Sequence, residues 1–396
     1  MLALETKATI DGWNHRGQYK VAGLQDFAAA RLPLERMVLD LRHDSGVPVS
    51  TALTQLPWAG FLVDANESAP TGRSWLQLHG EARIVQAGDV IEVQPSVGKV
   101  GVRYRRGSNG NVLFATERCN SYCLMCSQPP RQIEDDWRVA QLCELAELID
   151  QDERSLAISG GEPTLLGAGL PQLIRHCAST LPQTHLHVLS NGRRLGEGDY
   201  AAAFRDLHPE LSWGVPLYGD GFALHDYVVQ SEGAFAQTVR GLYALERAEQ
   251  RIEIRVVLVR PTVERLSALA RFLYRNLPFV EHVALMGVEP IGFAKANHEA
   301  LWLDPADMAP ALTDAVAFLT GHGMRVSLYN LPLCVLPPEL WPYAQRSISD
   351  WKQDYLPACS ACAVRSRCGG FFSWINDHWR SRAIAPIPSL AETFDE

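Results

Sequence analysis

Seven of the nine cysteines in this 396-residue chain fall into two groups, and grouped thiolates are first of all metal ligands. The tighter group lies in Glu117-Arg118-Cys119-Asn120-Ser121-Tyr122-Cys123-Leu124-Met125-Cys126. Three thiolates at spacings of four and three on one loop can reach three corners of an iron–sulfur cube, leaving the fourth iron without a protein ligand. An open position of that kind is what catalysis at a metal requires. A zinc site or chance clustering accounts for the triplet alone about equally well. The looser group is Cys334, Cys359, Cys362 and Cys368; four thiolates suit a structural zinc or an iron–sulfur cluster, and spacing does not choose between them. Cys143, near Leu142, Ala146 and Ile149, and Cys177, near Leu173 and Ile174, read as small buried hydrophobes.

Two further segments carry polar chemistry. In Ser159-Gly160-Gly161-Glu162-Pro163-Thr164, two glycines let the backbone approach a ligand closely and Glu162 supplies a carboxylate for an ammonium group. Ser190-Asn191-Gly192 offers a hydroxyl and an amide suited to a ribose. Gly-Gly and Asn-Gly also mark ordinary turns. Arg255, set between Ile254 and Val256, needs a partner: the carboxylate of a bound cofactor, or an ion pair with Glu253. His225-Asp226 and Glu289 are candidate substrate contacts, although solvated surface is the plainer reading of each.

These segments need a frame. Candidate strands are Val112–Thr116, Leu156–Ser159, His185–Ser190, Trp213–Leu217, Ile252–Val259 and Val283–Gly287, with helical patterns between them, among them Trp137–Ile149, Phe235–Ala248 and Thr262–Arg275. Six alternations predict an α/β fold, a parallel sheet or partial (β/α)6 barrel, over residues 108–330. Ligands gather at the C-terminal ends of parallel strands, and the three segments follow the first three strands, so they should share one face. A helix near Asp307–Leu319 and a strand near Arg325–Tyr329 follow. Residues 1–107 hold short β-type runs, Arg36–Leu41, Gly60–Asp64, Trp75–His79 and Val90–Val93, and read as a small β-rich domain. Its edge strands offer a docking site for an extended peptide or a partner. Residues 331–396, rich in cysteine, proline and aromatics, form a third segment.

Composition narrows the field. With 47% hydrophobic and 20% charged residues the chain has a globular make-up. A formal net charge of −9 argues against broad nucleic-acid binding. No run of about 18 apolar residues suggests a membrane span. The opening MLALETKATIDGW lacks a basic n-region and an apolar h-region, so a cytoplasmic location is expected.

The order CX3CX2C after the first strand, GGEPT after the second and SNG after the third resembles the radical S-adenosylmethionine superfamily. The resemblance implies a [4Fe–4S] cluster on Cys119, Cys123 and Cys126 whose open iron is chelated by S-adenosylmethionine. It also implies Glu162 and the Gly160-Gly161 backbone at the cofactor's amino group, and Ser190 or Asn191 near its ribose. Many members carry an aromatic residue where this chain has Met125, and a thioether can also cover an adenine. The CX2CX5C core at Cys359–Cys368 resembles the SPASM and twitch extensions, which implies one auxiliary [4Fe–4S] cluster rather than two.

Across LFATERCNSYCLMCSQPPR, SGGEPTLL and DWKQDYLPACSACAVRSRCGGFF the chain is similar to His-Xaa-Ser system radical maturases, the HxsC subfamily. That likeness implies a ribosomally made precursor peptide as substrate, a sibling radical maturase as partner, and an electron donor such as flavodoxin or ferredoxin. Alternatives are a sulfatase-maturation or small-molecule radical enzyme, or a non-catalytic iron–sulfur scaffold; the full motif set speaks against the scaffold.

Overall fold

The computed structural model describes residues 4–23, 26, 32–47, 50–65, 70–81, 84–347, 349 and 352–388. The chain divides into two compact units. One comprises Met1–Val112, Val139–Ser155 and His176–Thr184; the other Leu113–Arg138, Leu156–Arg175 and His185–Glu396. The boundary expected near residue 107 therefore recurs further on, because residues 139–155 and 176–184 group with the N-terminal strands. The cysteine-rich tail groups with the sheet that precedes it.

Seven strands among the described residues of the first unit close into a barrel: β1 (Glu5–Asp11), β2 (Gly17–Ala22), β3 (Met37–Asp40), β4 (Gly60–Val63), β5 (Trp75–Leu78), β6 (Val90–Gln94) and β7 (Lys99–Tyr104), in the order β1-β5-β4-β3-β2-β6-β7. β3 and β4 are buried along their whole length. Alternation divides them between two cores: Val38 and Leu62 join Val21, Leu76, Ile91 and Val100, while Met37, Leu39, Phe61 and Val63 pack with Trp58. Strands buried on both faces need the continuous apolar runs these segments have. The barrel corrects one expectation. With β1 paired to both β5 and β7, the ring closes, and among the described strands it offers no free edge for a peptide to extend. No local pattern in the sequence reveals that the first and last strands meet.

The second unit is built on an eight-stranded sheet: β8 (Val112–Phe114), β9 (Ser155–Ser159), β10 (His185–Leu189), β11 (Leu211–Pro216), β12 (Arg251–Leu258), β13 (His282–Gly287), β14 (Arg325–Tyr329) and β15 (Ala344–Gln345), in sequence order across the sheet. From β10 onward each neighbouring pair is parallel. All six expected strands are present. The expected count of six becomes eight because β14 joins β13 in parallel and the two-residue β15, too short to show a period, joins β14. β12 alternates strictly, with Ile252, Ile254, Val256 and Leu258 buried on one face and Glu253, Arg255 and Val257 on the other. Among the helices, α1 (Arg138–Leu148), α2 (Gly169–Thr180), α3 (Phe222–Val229), α4 (Ala234–Arg247), α5 (Leu266–Asn276) and α6 (Pro305–Gly321) show the period expected of one-sided burial. In α5, for example, Leu266, Leu269, Ala270 and Leu273 are the buried positions. Among the described residues, no helix is long and apolar enough to cross a membrane.

Candidate functional site

The C-terminal ends of β8 and β9 are stitched together by backbone. Ala115 donates its N–H to Ser159 O (2.7 Å), Gly161 to Thr116 O (2.7 Å) and Glu162 to Arg118 O (2.8 Å). The approach is close enough to require glycine. A Cβ on Gly160, at φ +147°, would lie 2.3 Å from Thr116 O, and one on Gly161 would lie 2.1 Å from Arg118 O. Asp135 clamps the base of the cysteine loop from the other side. Fully buried, it accepts from the Thr116 hydroxyl (2.8 Å) and the Glu117 N–H (2.7 Å) and pairs with Arg118 (3.0 Å). Sequence reasoning passed over Asp135, since nothing distinguishes it from the exposed acids around it.

Beyond that base the loop is held along its length. Tyr122 and Leu124 donate their N–H groups to Val229 O and Val228 O at the end of α3 (3.1 and 2.9 Å). Asn297 Nδ2 donates to Leu124 O (2.9 Å) and Phe293 N–H to Cys126 O (2.9 Å). Met125 is buried with Tyr218, Val228, Val259 and Trp379. A thioether between apolar neighbours fills a core gap, which sequence could not separate from an adenine contact.

The three thiols sense one another. Burial pushes Cys119 up to about 11, with Glu162 and Cys126 adding to the rise, and pushes Cys123 up to about 12, with Cys126 and Cys119 adding. Cys126 is also raised by burial. Thiols that resist ionisation in an apolar site release their protons when a metal supplies positive charge, so the donor set suits a metal cluster better than free nucleophilic chemistry. Among the described residues, no three His, Cys, Asp or Glu side chains converge as tightly as one ion demands. A cube, with one cysteine to each iron, asks for wider spacing.

Glu162 ties the second and third strand ends together. Its Oε1 accepts from Thr164 N–H (3.0 Å), the Thr164 hydroxyl (2.6 Å) and the Ser190 hydroxyl (2.8 Å), and its Oε2 accepts from Asn191 N–H (2.6 Å). The residue is fully buried; burial raises its pKa, against the pull of these four donors. Ser190, expected near a ribose, is buried and spends its hydroxyl on Glu162. Asn191 donates from Nδ2 to Asn120 Oδ1 (2.6 Å) and lies 4.0 Å from Cys119 Sγ, so the third strand end reaches the cysteine loop directly. Arg193 completes the junction. Its Nη1 donates to Asn120 O and to the Ser121 hydroxyl (3.0 Å), and its Nε to Gln237 (2.6 Å). Its position directly after the SNG turn was the available signal.

Arg255 stands apart from this junction. It donates to Glu253 (2.6 Å) and to Met286 Sδ (3.2 Å), so the structure makes the ion pair. Of the candidate substrate contacts, His225 is buried, Asp226 accepts from Gly233 and Phe235 N–H (2.7 Å each), and Glu289 pairs with Lys352 at 3.6 Å. The solvated-surface reading is corrected for His225. Cys177 is buried as expected, whereas Cys143 is partly exposed.

In the tail, Cys368 Sγ accepts N–H groups from Leu333 and Gly370 (3.4 Å each) and Cys362 Sγ accepts from Ile387 (3.4 Å). Cys334 is raised by burial, with Cys368 and Cys359 adding to the rise, which puts these three thiols near one another across 25 residues or more of sequence. The Cys362 N–H donates to Cys359 O in a turn (3.2 Å). A cavity of about 860 Å³ in the first unit, lined by Lys20, Arg36, Arg106, Glu147, Asp150 and Glu153 among others, includes none of these groups. Many of its charges are paired within it, as in Lys20–Asp150 (2.8 Å) and Arg106–Asp150 (2.7 Å).

No family model matches the chain, and no curated protein matches it. Among solved structures it is similar to Streptococcus suis SuiB bound to S-adenosylmethionine, at 14% identity and a TM-score of 0.44, over 55% of this chain and 49% of that one. The same SuiB bound to its precursor peptide SuiA gives 13% identity and a TM-score of 0.42, over 55% and 47%. Native anSMEcpe with bound AdoMet and a Cp18Cys peptide gives 18% identity and a TM-score of 0.39, over 54% and 62%. The match thus spans about half the length of the first of these proteins.

Proposed function

We propose that the chain is a radical S-adenosylmethionine enzyme that modifies a ribosomally made peptide. The observation that carries this reading is the junction at Glu162 and Asn191. It joins the GGE loop, the SNG turn and the three-cysteine loop at one end of the sheet. A cysteine triplet, a pair of obligatory glycines and an asparagine beside a cysteine sulfur each have plainer uses; their union on three consecutive strand ends does not. Cys119, Cys123 and Cys126 would hold a [4Fe–4S] cluster, with S-adenosylmethionine on its open iron. When bound and reduced, that pair supplies a 5′-deoxyadenosyl radical able to take a hydrogen atom from a substrate.

The chain's own residues have definable parts in this. Oε2 of Glu162 takes one donor from the protein and keeps a lone pair for an ammonium group. Gly160 and Gly161 keep side chains out of the junction. The buried Met125–Tyr218–Val259 packing excludes water behind the loop. Ser190 and Asn191 would position the ribose side, and Arg255 an anionic group once released from Glu253. Cys334, Cys359, Cys362 and Cys368 would bind one auxiliary [4Fe–4S] cluster. The finer reading is a precursor peptide with His-Xaa-Ser repeats, crosslink chemistry, a sibling maturase, and flavodoxin or ferredoxin as electron donor. Anaerobic reconstitution with S-adenosylmethionine and a reductant tests the class: 5′-deoxyadenosine release is expected, and its absence from cluster-loaded protein would overturn the proposal. Mass spectrometry of the candidate peptide tests the substrate.

A further inference from the structure

A single stretch of chain stands between the two cysteine groups and is held from both sides. On the first side it grips the cysteine loop. Gly292, at φ +58°, brings the backbone so close that a Cβ would lie 2.2 Å from Cys126 O. Phe293 donates its N–H to that same oxygen (2.9 Å), and Asn297 Nδ2 donates to Leu124 O (2.9 Å). Two short helical turns, Phe293–Ala296 and His298–Leu301, carry these groups, and Asp304 then caps α6 by accepting the Ala306 N–H (3.0 Å).

On the second side the same stretch is gripped by the end of the tail. His298 Nε2 donates to His378 O (2.8 Å), and its ring meets Trp379 edge-on with centroids 4.6 Å apart. Trp379 also packs edge-on against Trp302 (5.3 Å) and belongs to the apolar cluster of Met125, Ala294 and Leu301. Asp304 accepts from the Ser381 hydroxyl (2.5 Å) and the Arg382 N–H (3.1 Å), and the Arg382 guanidinium reaches Asp307 (2.9 Å). A cavity of about 50 Å³ remains beside these contacts, lined by Trp302, Met308, Val335, Phe371, Trp379 and Ile384 among others. A void forfeits dispersion contacts, so the polar grips at Ser381 and Arg382 carry more of the seating than packing does. A few residues further on, the tail's own cysteines are held by the same run of backbone. The Ala385 N–H donates to Cys334 and the Ile387 N–H to Cys362 Sγ (3.4 Å), while Ile387 O accepts the Ala363 N–H (2.9 Å). Free thiols accept such bonds weakly. A metal-bound sulfur carries negative charge and accepts them more strongly, which anchors the donors to it.

We propose that residues 378–387 form a strap that couples the two cysteine groups, an inference that rests on reading both groups as metal sites. Metal in the tail fixes the Ala385 and Ile387 end of the strap. The other end then seats firmly on His298, Trp302 and Asp304, and the stretch from Phe293 to Asp304 braces the cysteine loop at Leu124 and Cys126. Trp379, Ser381 and Arg382 are positioning residues, acting on the loop through that stretch. Coupling between two sites is reciprocal, so a filled loop tightens the tail by the same factor.

The test fills one site and reads the other. In full-length protein with Cys119, Cys123 and Cys126 all replaced by alanine, anaerobic loading with iron and sulfide can fill the tail alone, to about four irons per chain. Amide hydrogen exchange is then followed by mass spectrometry in peptides covering residues 119–127 and 291–298, with and without that loading. Tail loading should slow exchange in both peptides by about tenfold. Two variants in the same background cut the strap. Ser381→Ala combined with Arg382→Ala removes the polar grip and leaves the apolar cluster whole, so folding is spared; Trp379→Ala removes the aromatic grip. Both should load the tail with the same iron, and in both the slowing at the loop should be lost. A merely structural strap would shift exchange equally in the loaded and the metal-free protein. No slowing in the parent, or the same slowing in both variants, would overturn the coupling and leave the auxiliary-cluster reading standing. A parent that takes no iron would refute that reading, and the coupling with it.

Discussion

Replacing Glu162 by glutamine changes one oxygen for an NH2 group in a place where four donors converge on the carboxylate. The carboxylate accepts four hydrogen bonds, three on Oε1 and one on Oε2. An amide oxygen has lone pairs for two donors, and the new Nε2 would point a donor at the Asn191 N–H, now 2.6 Å from an acceptor. One buried donor left unsatisfied costs about 1–3 kcal/mol, and the surviving bonds lose charge assistance worth about 1 kcal/mol each. Relief from burying a charge offsets part of this, leaving a net loss of about 2 kcal/mol. At roughly 2–4 °C per kcal/mol, the melting midpoint should fall by roughly 4–8 °C. Calorimetry on metal-free protein reads this without any cluster. An unchanged midpoint would refute the reasoning: burial raises this carboxyl, and a group already neutral would tolerate the amide. On cluster-loaded protein the same variant should bind S-adenosylmethionine roughly ten- to a hundredfold more weakly.

Cys123→Ala should abolish deoxyadenosine formation with little change in melting, because the loop is held by its backbone bonds to Val228, Val229 and Asn297; a full cleavage rate would contradict the site. Reconstituted wild type should hold about eight irons per chain, two cubes, and Cys368→Ser about four; zinc in the tail would reject the auxiliary cluster. His225 accepts from Tyr218 N–H (3.3 Å) and is lowered by burial from 6.5 to about 4. The folded state prefers the neutral ring, so its contribution is intact above pH 6.5 and is lost as pH falls from 6.5 toward 4, by about 3 kcal/mol. In His225→Asn that part of the acid sensitivity should disappear from urea melts taken across this range, and an unaltered pH profile would show the ring to be solvated.

The strands and the site were legible in unequal measure. Six strands of the sheet could be read because each is a short, mostly apolar run bounded by turn residues, and the three loops could be read because metal, ammonium and ribose binding narrow residue choice. What sequence hid is long-range. Asp135 looks like one more surface acid until Thr116 and Glu117 close on it. Barrel closure depends on β1 meeting β7 across some 90 residues, which no local period reports. Ser190 was read as a ligand contact because hydroxyls suit riboses; its use by Glu162, 28 residues away, is visible only once two strand ends touch.

Gly160 and Gly161 sit against the carbonyls of Thr116 and Arg118 with no room for a single added carbon. The two loops therefore cannot drift independently through evolution or be exchanged one at a time in the laboratory. A lengthened or re-spaced cysteine loop would move those carbonyls, and the glycine pair would then hold nothing. Anyone grafting this centre onto another scaffold must carry residues 115–126 and 159–164 together, as a single interlocked part, and a mutational library should find both glycines intolerant even of alanine.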